Sequence, residues 1–533
     1  MSKSLKSIGV ISFLTVVSRV LGLARDSLAL AIFGTGWVMS AFTTAFILPN
    51  LFRRLLAEGS MTAAFVPTLQ EELHANGRPG TFDLLSKVAS WLLAVTGAVA
   101  LVAMLLFSQS RLLPGHEEKW YVAADLTVTL FPYLAFISLA AAFSATLNVL
   151  GHFVEPALSP IWLNLAMIAT LALAASRLAP TQMSAIHWLC GGVLAGGFLQ
   201  MAVPGAVLVF MGWRPRLDLG LSPRVREIAL LMTPGILGTA IYQINFSVSR
   251  LLAFSLDDAS ATYLYAINRL MEFPIGVFAV AVSTVVYPLI AAHAVKRDFD
   301  SMAGDFLKGL RLILVINVPA AAGLAVLSGP IVRLIFQHGQ VTHAAAHNMG
   351  LLLALMAVGL PFFSVVNLMV RAFYAVKDTR TPVRVAMVDF VINIGISLVL
   401  IRFLGVVGIV AASTTAIIAQ TFLLGRALAV RLPQMRLAPL LPSLAKVLAG
   451  SAAMAAVVAA GERLLRGSGL GSRYADAASV AALVPLGVCA YGLVLWFLRI
   501  EGRDELESIL ARLPMAGRFF RRAFDKSGLK GSF

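Results

Sequence analysis

The sequence predicts an all-α polytopic membrane protein of about fourteen transmembrane helices, built as two parallel-repeated six-helix lobes followed by two C-terminal helices. Three observations predict it. The 533 residues are 59% hydrophobic and 13% charged, with a mean hydropathy of +0.87, far too apolar for an ordinary soluble domain. Apolar windows of about 20 residues, the length that crosses the hydrocarbon core, recur from end to end. Proline and asparagine landmarks repeat at one fixed spacing.

The windows fall at residues 8–24, 30–52, 88–108, 126–150, 155–177, 186–212, 228–255, 262–292, 310–337, 348–375, 383–403, 405–431, 444–464 and 478–498. The first follows Lys3 and Lys6 and superficially resembles a signal peptide. Arg19 interrupts its apolar stretch and Arg25 follows it, so it reads as a retained helix. The loops between windows alternate in charge. Those holding Arg78 and Lys87, Arg214 to Arg226, Lys296 to Arg311, Lys377 to Arg384 and Arg426 to Lys446 are rich in Lys and Arg, as is the tail after Arg499. Residues 256–261 offer only Asp257 and Asp258, and residues 338–347 hold no Lys or Arg. This positive-inside bias places both termini in the cytoplasm. Arg463, Arg466 and Arg473 disobey it, since they fall in a loop predicted to lie outside. The net charge of +16 is thus a topology signal, and it does not point to nucleic acid. Cys190 and Cys489 stand alone in apolar runs and read as inert packing residues.

Phe131-Pro132 is followed 32 residues later by Asn164, and Leu360-Pro361 is followed 32 residues later by Asn393, an offset of 229 both times. Leu48-Pro49 is echoed by Phe273-Pro274, each with a further proline downstream, Pro67 and Pro288. The implied division is a first lobe at 1–215, a second at 216–437, two added helices at 438–500 and a basic tail at 501–533. Paired repeats place a binding site at their interface and let one half rock against the other. Pro49 and Pro274 are the hinge candidates. Leu506, Ile509, Leu510 and Leu513 among the basic residues of the tail fit either a helix lying on the anionic inner leaflet or a plain topology determinant.

Arginines carry the chemistry. One at bilayer depth costs roughly 2.5 to 3.5 kcal/mol, so it should face a polar interior. Arg19, Arg25, Arg53 and Arg269 sit in or beside apolar windows, which implies an anionic cargo. Arg19 and Arg25 are six residues apart and face different directions unless the helix bends near Gly22. Arg25 could instead snorkel to the outer interface and pair with Asp26. In the second window, Arg53 is the cavity candidate, while Arg54 and Glu58 have the spacing of a helix-surface ion pair. Arg269 and Glu272 share a helical face and can pair. Arg250, Arg333, Arg371 and Arg402 lie nearer helix ends and are given no role.

The stretches Ser18-Arg19-Val-Leu-Gly-Leu-Ala-Arg25-Asp26, Leu48-Pro49-Asn50-Leu-Phe-Arg53-Arg54-Leu-Leu-Ala-Glu58-Gly59, Ala64-Phe-Val-Pro67 and Arg269-Leu-Met-Glu272-Phe-Pro274 closely resemble motifs of the MurJ (MviN) lipid II flippases, of the MATE-like (MOP) exporter superfamily. The similarity runs over essentially the full chain. It implies a monomeric carrier in the bacterial inner membrane, moving the undecaprenyl-diphosphate-linked peptidoglycan precursor to the outer leaflet for cell-wall synthesis. It also implies that Arg19, Arg25, Arg53 and Arg269 line the central cavity, with Asn50, Glu58 and Glu272 beside them, and that a lipid-tail groove runs along the last two helices. Guanidinium forks suit this task, because they replace water on a phosphate with charge-assisted hydrogen bonds.

The chain departs from the motifs at Met39-Ser40-Ala-Phe, where the family has Thr-Asp-Ala-Phe, at Ile47, where a basic residue is common, and at Asn268, where Asp is usual. Two acidic groups are missing, so a more positive cavity is expected. No cofactor is implied beyond a monovalent cation, which some members bind between helices 7, 11 and 12. Asn245, Asp389, Asn393, Ser397 and Ser413 are the nearest candidates here, and a polar cluster satisfied within the bundle is the alternative.

Other classes fare worse. Asp298-Phe-Asp300 is a DxD of the kind that holds a metal-nucleotide in glycosyltransferases, but it lies in a short charged loop with no nucleotide-binding domain. No HExxH, GxSxG or GxxxxGK[ST] pattern is present, so the chain does not read as an enzyme. Gly467-Ser-Gly-Leu-Gly471 reads as a flexible connection. A cation exporter would want carboxylates in place of arginines. An exporter of another polyprenyl-diphosphate-linked glycan shares the charge and stays open.

Overall fold

The computed structural model describes residues 3–56, 60–112, 115, 117–175, 180–276, 280–435, 437–467 and 471–499, and every regular element among them is helical. In chain order these are α1 (Lys3–Phe33), α2 (Trp37–Ala45), α3 (Ile47–Leu56), α4 (Ser60–Ser108), α5 (Glu118–Leu130), α6 (Tyr133–Val149), α7 (Val154–Leu173), α8 (Gln182–Phe210), α9 (Pro223–Leu256) and α10 (Ser260–Pro274). There follow α11 (Val280–Lys296), α12 (Phe299–Val326), α13 (Ser328–Phe336), α14 (His343–Ala357), α15 (Leu360–Ala375), α16 (Arg380–Leu404), α17 (Val406–Arg431), α18 (Leu441–Gly467) and α19 (Ser472–Phe497). Among the described residues nine helices are long and apolar enough to cross a membrane, and a tenth span is added if the bent pair α14 and α15 is one crossing. The chain is an all-α, multi-pass membrane protein.

Several windows that read as single helices are broken, and proline accounts for the breaks. It lacks an N–H and crowds the preceding turn, so it is tolerated in a first turn or at an end. Pro49 is the third residue of α3, Pro330 the third of α13, Pro361 the second of α15 and Pro274 the last of α10, while Phe131-Pro132 separates α5 from α6. Pro160, Pro204 and Pro319 are carried inside α7, α8 and α12. α4 is two helices joined at Gly77, whose φ is 65°.

The chain divides into two compact units, Met1–Phe273 with Ser328–Met356 and Thr379–Gln420, and Pro274–Leu327 with Ala357–Asp378 and Thr421–Phe533. In the first, α4, α6, α8 and α9 bury Phe65, Leu69, Leu85, Phe143, Leu208, Trp213 and Ile228 together. Trp213 meets Phe143 edge-on at 5.1 Å. In lipid such a core is held by close packing and interhelical hydrogen bonds rather than by exclusion of water. In the second unit α12 packs against α11, α15 and α18, and the Tyr491 hydroxyl on α19 donates to the Val315 carbonyl on α12 at 2.8 Å.

Polar contacts tie together the connections of the first unit. The Gln340 N–H donates to the Ala31 carbonyl at 2.8 Å, and the Ser27 hydroxyl to the Ile335 carbonyl at 2.5 Å. Ser40 donates to the Asp258 carbonyl at 2.5 Å and lies 2.9 Å from the Thr262 hydroxyl. Buried Lys119 pairs with Glu117 at 2.8 Å and stands 3.8 Å from Asp258.

Two features of the sequence gain a structural account here. Asp298 caps α12, accepting from the Ser301 N–H at 3.1 Å, and hydrogen bonding from the Ser301 side chain and then its backbone holds the carboxyl below the usual range. That is helix-starting chemistry, which removes the nucleotide-holding reading of Asp298-Phe-Asp300. Arg466, one of the arginines that disobey the charge rule, is neutralised one turn away by Glu462 at 2.5 Å. The tail at 501–533 and residues 468–470 lie outside the described residues.

Gly339 has a φ of +54°, and a Cβ there would collide with the Ala31 carbonyl oxygen. Gly339→Ala should therefore lower the thermal unfolding temperature of the detergent-solubilised protein, since left-handed strain of about 1–2 kcal/mol adds to the clash. An unchanged temperature would mean that this contact does not form.

Candidate functional site

The site grows from α1, which runs unbroken through Gly22 and carries Arg19, Arg25 and Asp26. No bend is needed to bring both arginines to one place, because α10 offers each of them a partner at a different height, Tyr265 to Arg25 and the Glu272 carbonyl to Arg19. Asp26 is the centre, with its side chain only 2% exposed. Arg25 forks onto one of its oxygens, Nε at 2.9 Å and Nη2 at 2.6 Å. The Tyr265 hydroxyl donates to the same oxygen at 2.6 Å, and Arg269 Nε stands 3.0 Å from the other. Arg25 also donates from Nη1 to the Asn164 side-chain oxygen on α7 at 3.0 Å. The Asn164 amide in turn donates to the Ser18 carbonyl at 3.0 Å, so α1 and α7 are clamped beside the charges.

A second carboxylate stands one helical turn along α10. Glu272 Oε2 is 3.1 Å from Arg269 Nη1, its Oε1 is 3.4 Å from Arg54 Nη2 on α3, and its backbone carbonyl accepts from Arg19 Nη1 at 3.3 Å. Glu272 is 47% exposed, unlike Asp26. Arg250 on α9 lies 5.3 Å over the Tyr265 ring and 4.6 Å over Phe246, a stacking that shields a buried guanidinium.

Gly22 makes the arrangement possible. A Cβ there would collide with Arg269 Nη2, so only bare backbone leaves room for the tip of this guanidinium against α1 while its Nε meets Asp26.

Of the arginines expected from sequence, Arg25 and Arg269 meet at Asp26, and Arg269 and Arg19 meet at Glu272, Arg19 through the backbone carbonyl. Arg53 donates from Nε to Asn50 on its own helix at 3.0 Å, and it is Arg54 that reaches Glu272. The expected Arg54–Glu58 pair cannot be followed, because Glu58 lies outside the described residues. Arg25 does pair with Asp26, as the alternative reading had it, but in the buried interior where no snorkelling is needed. Tyr265, Arg250 and the central place of Asp26 were missed. One signal was available for Tyr265, which stands one turn before Arg269 on the same face.

The match to known sequences decides what this arrangement belongs to. Residues 29–470 match the family model described as "Lipid II flippase MurJ". The chain belongs to the MurJ lipid II flippase family. It is 34% identical over 440 residues to the probable lipid II flippase MurJ of Haemophilus influenzae, covering 78% of this chain and 84% of that one. Among solved structures, a MurJ in an inward closed conformation superposes with a TM-score of 0.74 at 23% identity, over 93% of this chain and 99% of that one. An inward-facing MATE family transporter of the MOP superfamily superposes with a TM-score of 0.64 at 13% identity, over 78% and 95%. MurJ proteins are transporters, not enzymes.

Two of the positions where this MurJ-family chain departs from the motifs have local explanations. Ser40 is fully buried and holds α2 to α10 through Asp258 and Thr262. Asn268 donates to the Leu264 carbonyl of its own helix at 2.7 Å.

The five cation candidates do gather. Asn245 donates to Asp389 at 3.0 Å, Asn393 donates to Asn245 at 2.7 Å and to Ser249 at 3.1 Å, and Ser413 and Ser397 donate to the Asn393 oxygen at 3.1 and 3.5 Å. The set is made of oxygen donors of the kind that hard cations take, and its members are also linked to one another by hydrogen bonds, as the alternative reading has it.

Asp26→Asn should strip the counter-charge from Arg25 and Arg269 while leaving shape intact. Breaking a buried pair costs about 3–5 kcal/mol. A thermal unfolding midpoint lowered by many degrees is expected, and a midpoint within one or two degrees of wild type would show that Asp26 is not the counter-ion that holds the site.

Proposed function

We propose that the chain carries a lipid-linked diphosphate, the peptidoglycan precursor lipid II, from the inner to the outer leaflet of the bacterial cytoplasmic membrane by alternating access. The observation that carries this reading is the convergence of Arg25, Arg54 and Arg269 on two carboxylates in a multi-pass bundle, with Arg19 beside them on the Glu272 backbone carbonyl. Two acids do not neutralise four guanidiniums, and the surplus suits a diphosphate. Stripping water from such a group without replacement would cost tens of kcal/mol by Born estimates. Charge-assisted hydrogen bonds replace that water, and the polyprenyl chain stays in lipid.

The fourteen-helix, two-lobe plan gains support from the repeat landmarks. Asn164 ties α7 to α1, and Asn393 ties α16 to α9, corresponding helices if the lobes are 1–215 and 216–437. Phe131-Pro132 separates α5 from α6 as Leu360-Pro361 opens α15 after α14. On this plan α18 and α19 flank a groove for the lipid tail, and Pro49 and Pro274, each at a helix end, absorb the rocking. The charge rule puts both termini in the cytoplasm. It also puts the connections near 34, 257 and 340 outside, so the bonds of Ala31 to Gln340 and of Ser40 to Asp258 form an outer latch. The carrier acts as a monomer. The network of Asn245, Asp389 and Asn393 pairs helices, and the membrane potential, worth about 2.3 kcal/mol per charge per 100 mV, returns the positively charged empty site inward.

Complementation of a strain depleted of its own lipid II flippase tests the reading. Wild-type protein should restore growth, while Arg25→Ala and Arg269→Ala, expressed to the same level, should reduce rescue at least tenfold in colony count. Headgroup translocation in proteoliposomes should slow when an inside-negative potential is collapsed. Failure of the wild-type chain to rescue, or indifference to potential, would overturn the corresponding part.

A further inference from the structure

Asp26 and Glu272 share Arg269 but are built differently. Asp26 is buried and fixed by Arg25, Arg269 and Tyr265. Glu272 is 47% exposed, and its carboxylate offers one oxygen to Arg269 on its own helix, at 3.1 Å, and the other to Arg54 on α3, at 3.4 Å. Arg54 Nε is buried with no hydrogen-bond partner among the described residues, so one edge of its planar fork is unused. A guanidinium with a vacant edge, a neighbouring guanidinium and an exposed carboxylate spanning them is the layout of an anion site already holding a replaceable anion.

We propose that Glu272 is a built-in stand-in for the phosphate of the cargo, and that Arg54 is a further phosphate-binding residue of the carrier. This rests on the flippase reading and names a competition within its site. In the empty carrier Glu272 separates two like charges that would otherwise repel and splay. An arriving phosphate carries more charge and more acceptor oxygens, and it takes both Arg269 Nη1 and the vacant Arg54 edge. Glu272 then swings into the solvent it already half meets. Asp26 stays in place, since three groups hold it.

The test is calorimetric titration of full-length protein in lipid nanodiscs with inorganic pyrophosphate. Glu272→Gln keeps the shape and removes the competing charge, so pyrophosphate should bind about fivefold tighter, the scale of losing one partly exposed ion-pair competitor. Glu272→Asp, which keeps the charge on a shorter arm, should fall between. Arg54→Ala should bind more weakly than wild type, and adding Glu272→Gln to it should give back much less than fivefold. Thermal unfolding of each variant checks that it is folded. Equal or weaker binding by Glu272→Gln would overturn the stand-in and make Glu272 a strut or a direct ligand. A full gain in the Arg54→Ala background would overturn the role of Arg54. If wild type and every variant fail to bind pyrophosphate, the diphosphate reading itself falls, and the competition with it.

Discussion

Burial of charge governs this molecule. A guanidinium inside a bilayer is tolerable only when something nearby takes the place of water, and here that duty falls first on the Asp26 carboxylate, which meets Arg25, Arg269 and the Tyr265 hydroxyl. The helices are arranged to serve it. α1 supplies the acid and one base from adjacent residues, α10 supplies the second base and the phenol one turn apart, and α7 sends Asn164 to hold Arg25 from behind. Removing any one leaves the others holding a desolvated group without its partner, so the cluster stands or falls as a unit.

Away from the charges, amides do the joining. Asn164 is 4% exposed and Asn393 is 3% exposed, and each links its helix to a distant one by hydrogen bonds that lipid cannot compete for. A side-chain amide both donates and accepts, so one residue can satisfy partners on two sides. The chain thereby fixes helix pairs without adding net charge. That matters in a protein whose buried arginines already depend on a few acids.

Much of this was legible in the sequence, and the reason is physical. Long apolar windows are what a bilayer requires, and an arginine within one needs a purpose, so Arg19, Arg25 and Arg269 stood out at once. Helix phase was harder to read. Arg53 and Arg54 lie about 100° apart, and which of them faces inward depends on where α3 begins. The break at Phe46 sets that start, and apolar periodicity does not reveal it. Asp26 was visible only as a neighbour of Arg25, because nothing in one dimension says that α10 brings Arg269 to the same carboxylate. Tyr265 looked like one more aromatic in an apolar helix. The prolines predicted hinges, yet their larger effect is to divide windows that hydropathy alone reads as continuous.

The bare backbone at Gly22 leaves space that the tip of the Arg269 fork fills against α1. A side chain whose tip sits in such a space can change its torsions without dragging either helix along. Handing the guanidinium from one acceptor to another then requires only a side-chain torsion, a motion of picoseconds to nanoseconds, whereas the helices themselves tilt over microseconds to milliseconds. A rearrangement of that side chain and a movement of whole helices therefore belong to different timescales.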